Sequence, residues 1–402
     1  MWDKLLISLL GRLINEGQLS VTFANGVVHA FGKPARDGDN YQVSVTFHKA
    51  DLPRKLIFNP ELALGEAYMD EALTIEGDDV RGLMQLVIRN SERGHLPLTQ
   101  RLARNARWFL RRWHQWTPLL KARQNVEHHY EIKSEFYYLV LDDDYLYTCA
   151  YFREDGETLE QAQTNKKLHI ARKLLLKPGM RVLDIGCGWG GLAINLAKEY
   201  GVHVTGVTLS AQQRAACEAR AAEAGVADLT DFRLQDYRHV DEVFDRIVSV
   251  GMLEHVGQPQ YRAYFERIDK NLAEDGVALI HHIGRTAPPS NLNQWFNKYI
   301  FPGGYSPSLS ETIKVIEHTN LAPSDIEVWR THYAKTVHEW LLRFEARLDE
   351  VRTHYDERFI RMWRFYLVSS ELSMIDMPQV IFHMQLAKSQ TTVPVTRDYL
   401  YP

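Results

Sequence analysis

Ten residues, "VLDIGCGWGG" from Val182 to Gly191, join an apolar, strand-like run to a turn holding four glycines. Glycine lets backbone approach a ligand closely, and such turns behind a strand most often cradle phosphates. Gly186, Gly188 and Gly190 fit GxGxG, while Gly191 also satisfies GxGxxG, so spacing alone leaves a dinucleotide open. Asp184, just ahead of the turn, argues otherwise. Its carboxylate would repel a pyrophosphate but suits a cationic ligand without phosphate. A tight turn that uses glycine only for packing is the ordinary alternative.

S-adenosylmethionine is a cation of that kind, carrying an ammonium and a sulfonium, and "LDIGCGWG" resembles the first motif of the class I methyltransferases. Two further strand ends support it. Thr208, Leu209 and Gln213, at and after "VTGVTLS", are placed to hold the adenosine, and Asp236 in "LQDY" can accept from the adenine amino group.

The elements that position these residues follow from about Met180: "RVLDIG", "HVTGVTL", "DFRLQD", "FDRIVSV" and "GVALIHHIG" are strand runs separated by helical stretches. Alternation of this kind predicts an α/β, Rossmann-like domain with a mostly parallel sheet and its ligand crevice at the strands' C-terminal ends. Arg285 to Pro402, rich in aromatics and helix formers, is expected to roof that crevice. Before it, residues 18–60 carry β-type runs ("QLSVTFANG", "YQVSVTFHK", "KLIFNP") and residues 61–90 a helical period, predicting a small α+β module. The expected division is 1–100 for that module, 101–124 for a linker helix and 125–402 for the methyltransferase domain. At 402 residues, two domains are the natural expectation.

The linker, "RLARNARWFLRRWHQWTPLLKAR", has seven Arg or Lys, no acid, and Trp108, Trp113 and Trp116 interleaved. Basic residues beside tryptophans suit the headgroups of an anionic membrane, and equally a helix packing its aromatics on a neighbour. A net charge of −4 gives no global reason to expect nucleic acid. Three cysteines, Cys149, Cys187 and Cys217, without a CxxC pair argue against a disulfide framework or zinc knuckle, fit a reducing cytoplasm, and leave no metal expected. The opening "MWDKLLISLLGRLI" predicts an amphipathic helix, and no stretch has the length of a membrane span.

Longer text narrows the resemblance. "LYTCAYF" (146–152), "TLEQAQ" (158–163), "LKPGMRVLDIGCGWGGLA" (176–193), "FDRIVSVGMLEHVG" (244–257), "KYIFPGGYSPSLSE" (298–311) and "YDERFIRMW" (355–363) resemble the cyclopropane-fatty-acyl-phospholipid synthases and their mycolic-acid relatives. That resemblance implies methyl transfer from S-adenosylmethionine to a cis double bond of a phospholipid acyl chain. Attack by the alkene leaves a carbocation, and ring closure requires a base. The family's base is a bound bicarbonate ion. Carried over by motif, Glu254 in "MLEHVG" would accept its hydroxyl, and His281 in "LIHHIG" and Tyr333 in "THYAKT" would donate to it. The backbone at Cys149 in "YTCAYF" would add a hydrogen bond. Tyr147, Thr148, Gln235 and Tyr237 join the implied cofactor shell. Tyr147, Tyr151, Trp295, Phe301 and Tyr305 offer aromatic faces to a cation or an acyl chain. Each residue also has an ordinary role: a helix-surface Glu254–His255 pair, a small buried Cys149, a core Tyr333 ring, a core His281.

Two segments depart from the family text. "HYEIKSEFY" carries Glu131, Ser134 and Glu135 where relatives commonly read Asp and an Asn–Asp pair, and "FYLVSSELSM" places Ser370 where many have cysteine in the bicarbonate shell. Ring closure is therefore the step expected to differ, and a methyltransferase giving methyl-branched or rearranged unsaturated chains is the alternative product. A noncatalytic lipid- or cofactor-binding protein is the alternative of another class. The resemblance further implies a homodimer working from the cytoplasm, peripherally bound to the inner face of an anionic membrane.

Overall fold

The computed structural model describes residues 1–33, 42–93 and 134–401. The linker expected over 101–124, with its tryptophans, and Glu131 lie outside the described residues. The chain divides into two compact units that do not follow sequence order. One holds 1–33, 42–93, 291–302 and 340–377, and the other 134–290, 303–339 and 378–401, among the described residues.

In the first unit, strands β1 (Gly17–Thr22), β2 (Val28–Lys33), β3 (Gln42–Phe47) and β4 (Leu73–Ile75) form a sheet of order β2-β1-β3-β4. Leu19, Val21, Val43 and Val45 alternate inward, the period-2 signature read from the sequence. The predicted first helix is present as Trp2–Leu13. The run "KLIFNP" is a correction: Lys55 to Phe58 end the helix Leu52–Phe58, Pro60 opens the next helix, and none of the run is strand. Pro53 in the first turn explains this, since its fixed φ is ready for a helix start and lacks the N–H a central strand needs.

Helices from far along the chain complete this unit. Trp295, on Gln294–Tyr299, is fully buried against Gly65 and donates its indole N–H toward Met69 Sδ at 3.2 Å. Helix Glu357–Asp376 packs on Pro60–Met69 and Val80–Arg93. Arg364 there forks onto Glu345 at 2.5 and 2.8 Å and reaches Asp78 at 2.8 Å.

The second unit is built on strands β5 (Arg181–Ile185), β6 (His203–Thr208), β7 (Thr230–Leu234), β8 (Phe244–Val250), β9 (Leu272–Arg285), β10 (Ala322–Trp329) and β11 (Gln379–Ala387). Their order is β10-β11-β9-β8-β5-β6-β7, with β11 alone antiparallel to its neighbours. All five strand runs predicted from Met180 onward are present, and the sheet is mostly parallel as expected. The last third of the chain does more than supply helices, because it adds β10 and β11 to this sheet. Helices Leu159–Leu174, Gly191–Tyr200, Ala211–Glu223 and Tyr261–Asn271 cover the sheet, and apolar cores on its faces hold it. Strand order reverses between β5 and β8, so their C-terminal ends open the crevice such folds use.

Candidate active site

Asp184 stands at the β5 side of that reversal. It is 2 % exposed, and burial alone pushes its carboxyl up to about 7. An acid held this way is stabilised as a carboxylate by a cation, and among the described residues none contributes to its shift. Gly186, Gly188 and Gly190 take φ values of 81°, 56° and 80°, which only glycine adopts without strain. The turn is held to β6 by the Gly186 and Cys187 N–H groups, both on the Val207 carbonyl, and the helix Gly191–Tyr200 starts directly behind it. These features fit a cationic ligand approached closely by backbone.

The neighbouring strand ends are more committed than the sequence suggests. Thr208 Oγ1 donates to Gln213 Oε1 at 2.7 Å, both residues being buried, and Leu209 is half-buried beside them. The Gln235 N–H reaches the Thr208 carbonyl at 3.1 Å, and its side-chain amide donates to His239 O at 2.9 Å. Asp236 accepts two bonds of 2.8 Å from the Arg238 guanidinium and a third from the Arg238 N–H. A carboxylate has about four lone-pair sites, so one remains for an amino group. Tyr237 is 5 % exposed and packs edge-on to Tyr264 in the core. Tyr147 and Thr148 are half-buried.

The second group lies at the ends of β8 and β9. Glu254, on the short helix Leu253–Val256, is 7 % exposed, which removes the surface-pair reading. Its Oε1 accepts the Ile283 N–H at 2.5 Å, while Oε2 is buried without a hydrogen-bond partner among the described residues. Burial pushes this carboxyl up to about 7 against the pull of that N–H. His281 and Ile283 share one face of β9 by their spacing. The His281 carbonyl accepts the Gly251 N–H at 2.9 Å, and its ring Nδ1 lies 2.6 Å from His383 Nε2. Burial, and then the Lys166 ammonium, hold His281 well below the usual imidazole range, so it is neutral.

Cys149 is 1 % exposed; its thiol donates to the Ala150 carbonyl at 3.2 Å, and burial keeps it protonated. The segment is bound to helix His332–Ala346, where Thr336 Oγ1 accepts the Ala150 N–H and His332 Nδ1 the Phe152 N–H. Tyr333, in the first turn of that helix, is 8 % exposed. The second unit thus carries Glu254, His281, Cys149 and Tyr333 on elements joined by hydrogen bonds. Ser370 is half-buried on Glu357–Asp376 in the first unit, where its carbonyl accepts from Ser373 Oγ. Trp295 packs within that unit, and Tyr305 is 2 % exposed with its hydroxyl donating to Glu311 at 2.8 Å.

Some residues had no motif to mark them. Lys166 is 1 % exposed, donates to Thr148 Oγ1 at 2.7 Å, and burial draws its ammonium down to about 8. His383 breaks the apolar run "VIFHMQL", a weak signal in retrospect. His169, Glu327 and His383 bring ligand-type atoms within 4.8 Å of one another. Lys173 Nζ is already 2.6 Å from the Glu327 carboxylate, so the acid has its cation.

The family model described as mycolic acid cyclopropane synthetase matches residues 118–382, and one for a domain of unknown function matches 5–95. The chain is 38% identical to cyclopropane-fatty-acyl-phospholipid synthase of Escherichia coli K12, over 79% of this chain and 80% of that protein. It is 37% identical to a probable fatty acid methyltransferase of Pseudomonas putida, over 69% and 73%. The crystal structure of the mycolic acid cyclopropane synthase CmaA1 complexed with SAH and CTAB superposes with a TM-score of 0.63 at 29% identity, covering 68% of this chain and 99% of that one. With its crevice behind Asp184 and its buried Glu254 and His281, the chain belongs to the mycolic acid cyclopropane synthetase family and is an S-adenosylmethionine-dependent methyltransferase of the cyclopropane synthase type.

Proposed function

We propose that the protein converts unsaturated acyl chains of membrane phospholipids to cyclopropane chains, with a bound bicarbonate as base. The observation that carries this is Glu254: a buried carboxyl with one oxygen on the Ile283 N–H and the other facing no partner among the described residues. A buried polar atom left open in this way asks for a small hydrogen-bonding guest.

S-adenosylmethionine, when bound, supplies a methyl group on an electron-poor sulfonium. Asp184 would meet its cationic end and the glycine turn would admit it, while Thr208, Leu209, Gln213, Gln235, Asp236 and Tyr237 would hold the adenosine, with Tyr147 and Thr148 beside it. Bicarbonate, when bound, supplies the base for the proton lost on ring closure. Glu254 Oε2 would accept its hydroxyl, His281 and Tyr333 would donate to it, and the backbone at Cys149 would add a further hydrogen bond. The Cys149 thiol stays protonated, so it does not compete for the methyl group.

The substrate reading is supported by the E. coli relative, named for fatty-acyl phospholipid. The Pseudomonas relative, named a probable fatty acid methyltransferase, favours a second product, a chain methylated without ring closure. Mass spectrometry of lipids from expressing cells separates the two. Gain of one methylene with loss of the alkene is expected, and a retained alkene sinks the synthase reading. Label from S-adenosylmethionine should enter unsaturated phospholipid vesicles with the intact protein and not with Glu254→Gln.

A further inference from the structure

Strand register places Glu327, His383 and His281 in one row across β10, β11 and β9. His383 is fully buried and His281 is 2 % exposed, with 2.6 Å between His383 Nε2 and His281 Nδ1. Two neutral imidazoles at that distance share a single proton, and its owner decides what the far nitrogen of His281 presents.

We propose that His383 is a positioning residue that sets the tautomer of His281: its Nε2–H donates to His281 Nδ1, so that His281 carries its own proton on Nε2 and turns a donor toward the bound anion. The proposal rests on the reading that His281 donates to bicarbonate.

Three observations select this proton placement. His383 Nδ1 meets no hydrogen-bond partner among the described residues. A proton there would bury an unpaired N–H, whereas a proton on Nε2 is paired with His281. Next, the ring is clamped: Trp329 stacks on it with centroids 3.9 Å apart at 28°, and the same indole meets His281 edge-on at 5.4 Å. Tilting the ring would break that packing, and a half-turn within its plane would carry Nε2 away from His281 Nδ1, so the hydrogen bond selects this orientation. Last, the surrounding charges keep both rings neutral. Burial acts first on His383, followed by His281, Lys173, His169 and Lys166. Glu327, the one acid in the row, is engaged by His169 Nε2 at 2.7 Å and Lys173 Nζ at 2.6 Å. It therefore does not draw a second proton onto His383. A histidine whose second nitrogen is fixed by a neighbour in this way has a defined donor face.

The test reads the tautomer directly, in the full chain labelled with nitrogen-15 histidine, from two-bond proton–nitrogen correlations assigned with His383→Gln. His281 and His383 should both show a protonated Nε2 and an unprotonated Nδ1. An Nδ1–H tautomer at His281 overturns the proposal. In activity assays, His383→Leu should raise the bicarbonate concentration for half-maximal rate by about tenfold or more and leave the S-adenosylmethionine KM unchanged. His383→Gln, which restores an amide donor, should recover most of that loss. A His383→Leu enzyme with wild-type bicarbonate dependence also overturns the proposal. If wild-type activity is indifferent to bicarbonate, the base assignment fails, and the tautomer spectrum still decides what His383 does.

Discussion

At the scale of single residues, the proposed chemistry turns on two carboxyls that burial makes reluctant to ionise. Asp184 and Glu254 are each pushed up to about 7. The folded chain without ligand therefore holds protons that the unfolded chain releases near pH 4. The stability this contributes is full at low pH and is lost as pH rises through about 7. Asp184→Asn should flatten that fall in a pH series of urea unfolding. The same logic gives binding the opposite slope. A cationic cofactor favours ionised Asp184, so calorimetric affinity for S-adenosylmethionine should rise about tenfold from about pH 6 to about pH 8, and Asp184→Asn should bind weakly with no such rise. In the proposed mechanism Glu254 is ionised when it accepts the hydroxyl of bicarbonate, which predicts an acid limb near pH 7 in kcat, measured with cofactor saturating. Glu254→Gln cannot titrate and should lose at least about a hundredfold in rate with near-wild-type cofactor affinity.

Among the elements, the clearest prediction concerns Gln294–Tyr299, a helix joined to the first unit through Trp295. The indole is fully enclosed and a Cβ on Gly65 would collide with it, so the two surfaces are fitted to one another. Trp295→Ala should cost about 3–5 kcal/mol in urea unfolding, and Trp295→Phe clearly less. This contact also shows where the sequence stops being legible. The five strands β5 to β9 could be read because each is an apolar run closed by a turn. The glycine turn could be read because only a cation reconciles Asp184 with it. By contrast β10 "APSDIEVW" has proline at its second position and carries two acids, and β11 is interrupted by His383 and Gln385, so neither shows a clean strand period. Their polar residues are accounted for only by pairing: His383 with His281, Glu327 with Lys173, and Gln385 with the Lys173 carbonyl. "KLIFNP" misled for a related reason, since four apolar or aliphatic-stemmed residues in a row fit a short helix as well as a strand, and Pro53 decides. Glu254, His281, Cys149 and Tyr333 came from family text; no spacing rule would have joined positions spread over 149–333.

For the whole molecule, the proposed substrate raises the question of how a chain of net charge −4 would reach an acyl chain inside an anionic bilayer. No described helix is long and apolar enough to cross a membrane. A local concentration of positive charge would supply the attraction, and residues 101–123 hold seven basic side chains with no acid among them. Each basic residue at an anionic surface contributes about 1 kcal/mol, and salt screens it over about 10 Å at 0.1 M. Replacing Arg101, Arg104 and Arg111 together by Gln should therefore weaken binding to phosphatidylglycerol-containing vesicles by roughly a hundredfold at low salt. Binding of the unaltered protein should fall steeply as sodium chloride rises from about 0.05 to 0.5 M, and the triple variant should be far less sensitive. The tryptophans of the segment would contribute a part that salt does not remove, so Trp108, Trp113 and Trp116 replaced by Leu should lower affinity equally at both salt concentrations. Vesicle sedimentation measures all three. An affinity indifferent to salt in the unaltered protein would show that this segment is not what carries the enzyme to its substrate.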